Sequence, residues 1–178
     1  MNVLRRLLVA VVLMLVCGTG LASGQETAGG SSAASAPVSA LEQLTKADVE
    51  AMIRKMDLAI EARDIAAIEP LLTPDVKIVI KNLPTPEGLK TMEMTRDQYI
   101  QNSKDVFANA QDYKYSRQDQ VIEILDGGKK AVITAVVSEH ITMQGQQITS
   151  VTNERATVEV RDGKALITAL EGDVVEMK

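Results

Sequence analysis

The chain is short of rings, thiols and imidazole. Its 178 residues hold no tryptophan, one phenylalanine, three tyrosines, one cysteine and one histidine. A zinc cage draws about four ligands, mainly from cysteine and histidine, so none is expected here. No Gly-x-Ser-x-Gly elbow is present to carry a serine nucleophile. Charge is also one-sided, with 24 acidic residues against 19 basic ones and a net charge of −5. Acidity combined with so few stacking rings argues against nucleic acid as a partner and against an anionic membrane surface. No cofactor and no metal are expected.

What the first residues do have is the build of a secretory leader. Arg5 and Arg6 precede an apolar run over residues 7–16, and small residues follow at Gly18, Gly20, Ala22, Ser23 and Gly24. As a helix that run reaches about 15 Å, half of a hydrocarbon core of roughly 30 Å, so no membrane span is expected. Cys17 follows Met14, Leu15 and Val16, and Val16 is bulky where a lipoprotein signal wants a small residue. Cleavage after Ala22 or Gly24 is therefore the expectation, with a lipid anchor at Cys17 the alternative. Loss of a leader over residues 1–24 removes the one cysteine. That excludes disulfides and a Cys/His nucleophile pair, so stability must come from a core. Export is expected, to a bacterial periplasm.

Residues 25–40 are Gly, Ala, Ser and Thr with hardly a large side chain. Such a stretch buries too little apolar surface to offset the entropy of ordering it, and reads as a flexible tether. Residues 41–178 are enough for one domain with a real core.

Within that domain Thr45 to Asp48 has the form of a capping box. Val49, Met52, Ile53, Met56, Ala59 and Ile60 then recur at helical spacing. Asp64 opens a short second helix with Ile65, Ile68, Leu71 and Leu72, and Pro70 is tolerated only near its start. Thr73-Pro74-Asp75 reads as a break, residues 76–80 as a strand, and residues 82–94, with Pro84, Pro86 and Gly88, as loop. Thr95 to Gln98 is a second capping box, opening a helix whose apolar side holds Tyr99, Ile100, Val106 and Phe107. From Tyr113 the period switches to two. Helices first and antiparallel strands last give an α+β class.

The last three strands align through two turns. Gly145-Gln146 suits a two-residue hairpin, placing Ile133 opposite Val158 and Ala135 opposite Ala156. Asp162-Gly163 is the stronger turn signal, placing Ile167 opposite Val158 and Ala169 opposite Ala156. The shared apolar face then carries Glu139, Glu154 and Glu171, with Glu154 directly opposite Glu171. Like charges so placed repel, and solvent, a cation or protonation must relieve them. On the preceding strand one register puts Ser116 opposite Glu139 and another puts Arg117 there; an inward Ile122 and Ile124 favour the first. Tyr113 and Tyr115 share a face with Arg117, expected to be surface.

In this order of elements the stretches IEARDIAAIEPLLTPDVKIVI, KKAVITAVVSEHITMQGQQ and TNERATVEVRDGKALITAL resemble the nuclear-transport-factor-2-like superfamily of cystatin-like cones. The resemblance spans residues 41–178. It implies N-terminal helices packed in the concave face of a strongly curved, mainly antiparallel sheet, an internal cavity, and frequent dimerisation through the outer face. Members range from ketosteroid isomerase and dehydratases to binding and assembly domains, so the fold leaves function open. The isomerase pattern is not matched: the first helix offers Met52 and Met56 where that chemistry wants a tyrosine.

The expected pocket residues are accordingly Glu139, Glu154, Glu171, Arg117 and Tyr99. His140, beside Glu139, points to the outer face, where Asn153 and Arg155 join it as candidates for a homodimer interface. The leading expectation is an exported, non-catalytic cone that binds a small molecule or a periplasmic protein. Two alternatives are a small isomerase, dehydratase or hydrolase using Glu139 or Glu154 as general acid or base, and a dimeric assembly module.

Overall fold

In the computed structural model, which describes residues 40–178, the first element is helix α1 (Lys46–Glu61). The expected leader, Cys17 and all but the last residue of the 25–40 segment lie outside the described residues. The Thr45 hydroxyl accepts from the backbone N–H of Asp48, and the Asp48 carboxylate accepts from the backbone N–H of Thr45, closing the capping box. Val49, Met52, Ile53, Met56, Ala59 and Ile60 form the buried stripe that the helical period requires. Asp64 caps helix α2 (Ile65–Ile68), and a 3₁₀ turn (Glu69–Leu71) takes Pro70 at its start.

Strand β1 (Leu72–Thr85) follows at once and forms a hairpin with β2 (Gly88–Met94). The break expected at Thr73-Pro74-Asp75 is therefore strand, and so is the loop expected over residues 82–94 apart from the Pro86-Glu87 turn. Pro84 is tolerated because it lies beyond Lys81, the last β1 residue paired with β6, and past an irregularity between Ile80 and Leu83. Helix α3 (Arg96–Asn109) starts from the second capping box, Thr95 to Gln98.

The remaining strands are β3 (Asp112–Leu125), β4 (Lys130–Met143), β5 (Gln146–Arg161) and β6 (Lys164–Met177). The sheet runs β2-β1-β6-β5-β4-β3, antiparallel throughout except where β1 lies parallel to β6. The expected α+β class is the one observed: helices on the inner face of a curved, mostly antiparallel sheet. The main core joins α1 to that face through residues such as Val49, Ile53, Ala131, Ile133, Ala156, Val158 and Ile167. A second, smaller cluster of Ala110, Ile141 and Met143 closes the other end under Val106 and Tyr113. Among the described residues no helix is long and apolar enough to cross a membrane.

Three local features correct the expected register. The β4–β5 turn is Gln144-Gly145, both at positive φ (51° and 78°), one residue earlier than Gly145-Gln146. A tight turn of the primed type needs that conformation twice, and it matches the twist of the strands. Partners therefore move by two, with Ile133 opposite Ala156 and Ala135 opposite Glu154, and the inward face is kept.

The Asp162-Gly163 turn holds as far as Val158 opposite Ile167, but the next pair is Thr157 with Ala169. Thr168 is an extra residue, a β-bulge that reverses the facing of everything beyond it. Glu171 consequently lies opposite Arg155, while Gly172 takes the place opposite Glu154.

In β3 a further bulge falls between Gln118 and Val121, with Asp119 at φ 52°. It lets Tyr113, Tyr115 and Arg117 face inward together with Ile122, which the two simple registers held to be exclusive. Ile122 packs against the core, while Ile124 is exposed. The residue opposite Glu139 is Tyr115, neither Ser116 nor Arg117.

Candidate functional site

Between α3, α1 and the sheet lies a cavity of about 160 Å³. Ile60, Ile68, Val137, Ile141, Leu170 and Val174 supply much of its apolar wall, and Glu139, Glu154, Asn102 and Thr152 its polar groups. All four aromatic residues of the chain, Tyr99, Phe107, Tyr113 and Tyr115, also line it. Gly172 borders it where a Cβ would come within 3.1 Å of Ile80 and 3.0 Å of Thr152. The absence of a side chain on β6 keeps that wall from crowding its neighbours.

Each ring is delivered by a feature already described. Tyr99 and Phe107 come from the apolar side of α3. Tyr113 and Tyr115 come from the half of β3 that the bulge turns inward, so the pair expected on the surface faces the cavity instead. Phe107 and Tyr113 meet edge to face, with centroids 5.2 Å apart. The guanidinium of Arg63 lies 5.8 Å from the Tyr113 ring and donates to the Ala110 carbonyl at 3.0 Å, at the C-terminal end of α3.

The acids separate into two kinds. Glu154 forms an ion pair with Arg117, whose Nη1 lies 2.5 Å from its Oε1. The same guanidinium donates from Nε to Asp57 of α1 at 3.0 Å and from Nη2 to the Tyr115 hydroxyl at 2.7 Å. Tyr115 in turn donates to Asp57 at 2.9 Å. One cation is thus held between two carboxylates, tying α1 to β3 and β5. Burial works against the charge on Arg117, but Glu154 beside it holds the guanidinium more firmly protonated than usual.

Glu139 has no such partner: among the described residues it forms no ion pair. Its Oε1 accepts from the Tyr113 hydroxyl at 2.6 Å, and its Oε2 is 3.4 Å from the Ser150 hydroxyl. Removal from bulk water pushes its carboxyl above the usual range. The two hydroxyls pull it back, and the nearby Glu154 adds to the rise. The side chain retains some accessibility because it fronts the cavity. Desolvation likewise raises the phenols of Tyr99, Tyr113 and Tyr115, and the last two donate their hydrogens to Glu139 and Asp57.

Of the residues expected at the pocket, the structure brings together Glu139, Glu154, Arg117 and Tyr99. Glu171 is elsewhere. Beyond the Thr168 bulge it stands on the outer face, 2.9 Å from Lys81, which holds its carboxyl below the usual range. The outer face also carries His140, Asn153 and Arg155, all exposed; His140 Nδ1 lies 2.9 Å from the Thr149 hydroxyl. Asp57, Phe107 and Ser150 were not expected at the site. The sequence marks Asp57 only as one more polar residue on the outer side of α1.

No family model matches the chain, and no curated protein does. Solved structures do. A candidate scytalone dehydratase from Novosphingobium aromaticivorans superposes with a TM-score of 0.60 at 13% identity, covering 74% of this chain and 85% of its own. A nuclear-transport-factor-2-like protein from Cytophaga hutchinsonii gives 0.59 at 16% identity, covering 74% and 100%. A hexachlorocyclohexane dehydrochlorinase, LinA-type3, from Novosphingobium barchaimii gives 0.59 at 14%, covering 75% and 88%. Identities this low establish the fold and leave the chemistry to this chain's own residues.

Proposed function

Given that the chain has the nuclear-transport-factor-2-like fold, we propose that its working site is the internal cavity and that it binds one small molecule there. The observation that carries this reading is the matching of shape and polarity. An apolar, ring-lined hollow ends at a single carboxyl that no cation neutralises. Ligand sites are built in this way, with apolar walls and a few oriented polar groups. An apolar cavity of about 150 Å³ holds a benzene-sized guest, so a ligand of about that size fits. Its apolar body rests on Ile60, Val137 and Leu170, and its polar end meets Glu139.

Saturable binding of benzene-sized molecules to the full chain, followed by ligand-observed NMR, tests this. Val137→Phe, which sends a ring into the hollow, should abolish binding while circular dichroism shows the fold retained. Binding that survives the filled cavity would place the site elsewhere.

A second reading is catalytic, and Glu139 is what favours it. A carboxyl with a raised pKa, hydrogen-bonded to a phenol and facing a hollow, is suited to take up and return a proton. Two structural neighbours bear the names of elimination enzymes, a dehydratase and a dehydrochlorinase. Loss of water from a small β-hydroxy ketone, with the α C–H and β C–O bonds breaking as C=C forms, is the matching probe reaction. Glu139→Gln should abolish such turnover without lowering Tm; turnover retained by that variant removes Glu139 from the chemistry. Glu154 is the weaker candidate, being committed to Arg117.

A further inference from the structure

The distribution of rings is the second informative feature of the cavity. Aromatic side chains make up 2% of the chain, and every one of them borders the same hollow. The fully buried part of the main core is Val, Ile, Met, Ala and Leu, and the four rings pack against it where it borders the hollow. The whole aromatic complement thus meets both that core and the void, beside a carboxyl.

The charges lining this void are Glu139 of β4 and Glu154 of β5, beside the phenols of Tyr99, Tyr113 and Tyr115. Next to Glu154 stand Arg117 of β3 and, bonded to it, Asp57 of α1. Arg117 is matched by Asp57 and Glu154 together. Arg63 is turned to the carbonyl end of α3. That leaves Glu139, so an anionic guest would meet an acid with no spare cation beside it. A neutral guest would suit the apolar wall and the rings but bring no counter-charge to Glu139. Rings beside a carboxylate are the common means of holding an organic ammonium, the faces attracting the cation and the acid neutralising it. Arg63 and Arg117 already lie near the rings of Tyr113 and Tyr115, at 5.8 and 5.9 Å from the centroids. No cation among the described residues stacks on Tyr99 or Phe107.

We propose that the guest of this cavity is a small organic ammonium, its apolar body against Ile60, Val137 and Leu170 and its charged nitrogen against Glu139 among the rings. The proposal rests on the reading of the cavity as a small-molecule site and specifies the chemistry of the occupant. A buried charge is tolerable only when paired, and here the ligand supplies the pair.

Isothermal titration calorimetry of the full chain at pH 7 with cyclopentylamine, cyclopentanol and cyclopentanecarboxylate separates the possibilities. These probes share one apolar body and differ in the charge they carry. The amine should bind at least about tenfold more tightly than the alcohol, and the carboxylate should not bind. Glu139→Gln should erase the amine's advantage while leaving the alcohol's affinity within about threefold. Tyr99→Leu, which keeps the acid and removes a ring, should weaken the amine more than the alcohol. Alcohol binding as tight as amine binding, or an amine affinity unmoved by Glu139→Gln, overturns the ammonium assignment and leaves the cavity reading intact. Failure of all three probes overturns both.

Discussion

Tyr113 reaches diagonally from β3 to β4 and donates its phenolic hydrogen to Glu139 at 2.6 Å. The contact joins the only acid of the cavity without a cation to one of the four rings of the chain. It exists because the Asp119 bulge turns the first half of β3 inward.

Glu139 should give the fold a measurable pH dependence. Its folded pKa is raised, so its contribution is most favourable below the unfolded value of about 4.3 and is lost as pH climbs through the folded one. Glu139→Gln keeps the shape and removes the charge. The variant should match the wild type at pH 4 and unfold at a higher temperature at pH 8. Asp48 and Glu171, whose carboxyls are held below the usual range, are common to both chains and drop out of the comparison.

Removing the Tyr113 hydroxyl should have the opposite effect. Tyr113→Phe retains the ring against Phe107 but leaves Glu139 without its shortest hydrogen bond. A loss of about 1 kcal/mol is expected, growing with pH because that bond favours the ionised acid. Urea unfolding at pH 5 and pH 8 measures it, and the same change in a Glu139→Gln background should show less pH dependence.

Arg117 holds two carboxylates of separate elements, and its own side chain is only 9% exposed. Arg117→Met should cost about 3–5 kcal/mol, since Glu154 is left enclosed without its partner. Adding Glu154→Gln should recover part of that loss. A cost below 1 kcal/mol would mean that the pair is effectively solvated.

The Thr168 bulge carries a prediction of its own. Deleting Thr168 removes the bulge but keeps Ala169 opposite Thr157, Glu171 opposite Arg155 and Gly172 opposite Glu154. The deletion should therefore lower Tm by a similar amount at pH 4 and pH 7. A loss much larger at pH 7 would show that the strand has slipped and set Glu171 against Glu154.

The elements and their order were legible because caps and periods are local. Thr45 with Asp48, Thr95 with Gln98, and the stripe from Val49 to Ile60 needed nothing beyond neighbouring residues. The bulges were not, since one extra residue leaves alternation intact on either side and changes only its phase. In β3 that change of phase was visible: Tyr113, Tyr115 and Arg117 fall on odd numbers, Ile122 on an even one. Treated as one unbroken strand, these residues seemed to force a choice between registers; as two half-strands joined at Asp119 they agree. Thr168 left no comparable mark, so Glu171 was expected inside. Prolines 84 and 86 hid the β1–β2 hairpin because a sequence does not say where a strand runs on past its neighbour. The gathering of four rings around one void depends on α3 and β3 meeting in space, which no local pattern records.

The most direct measurement of the central claim, that the cavity ends in a desolvated carboxyl awaiting a partner, is a ¹³C NMR titration of the Glu139 side chain in the full chain. The midpoint should lie above the ordinary carboxylate range, rise further in Tyr113→Phe, and fall when a bound ammonium supplies the missing charge. A midpoint at or below about 4.3, unmoved by either change, would contradict it.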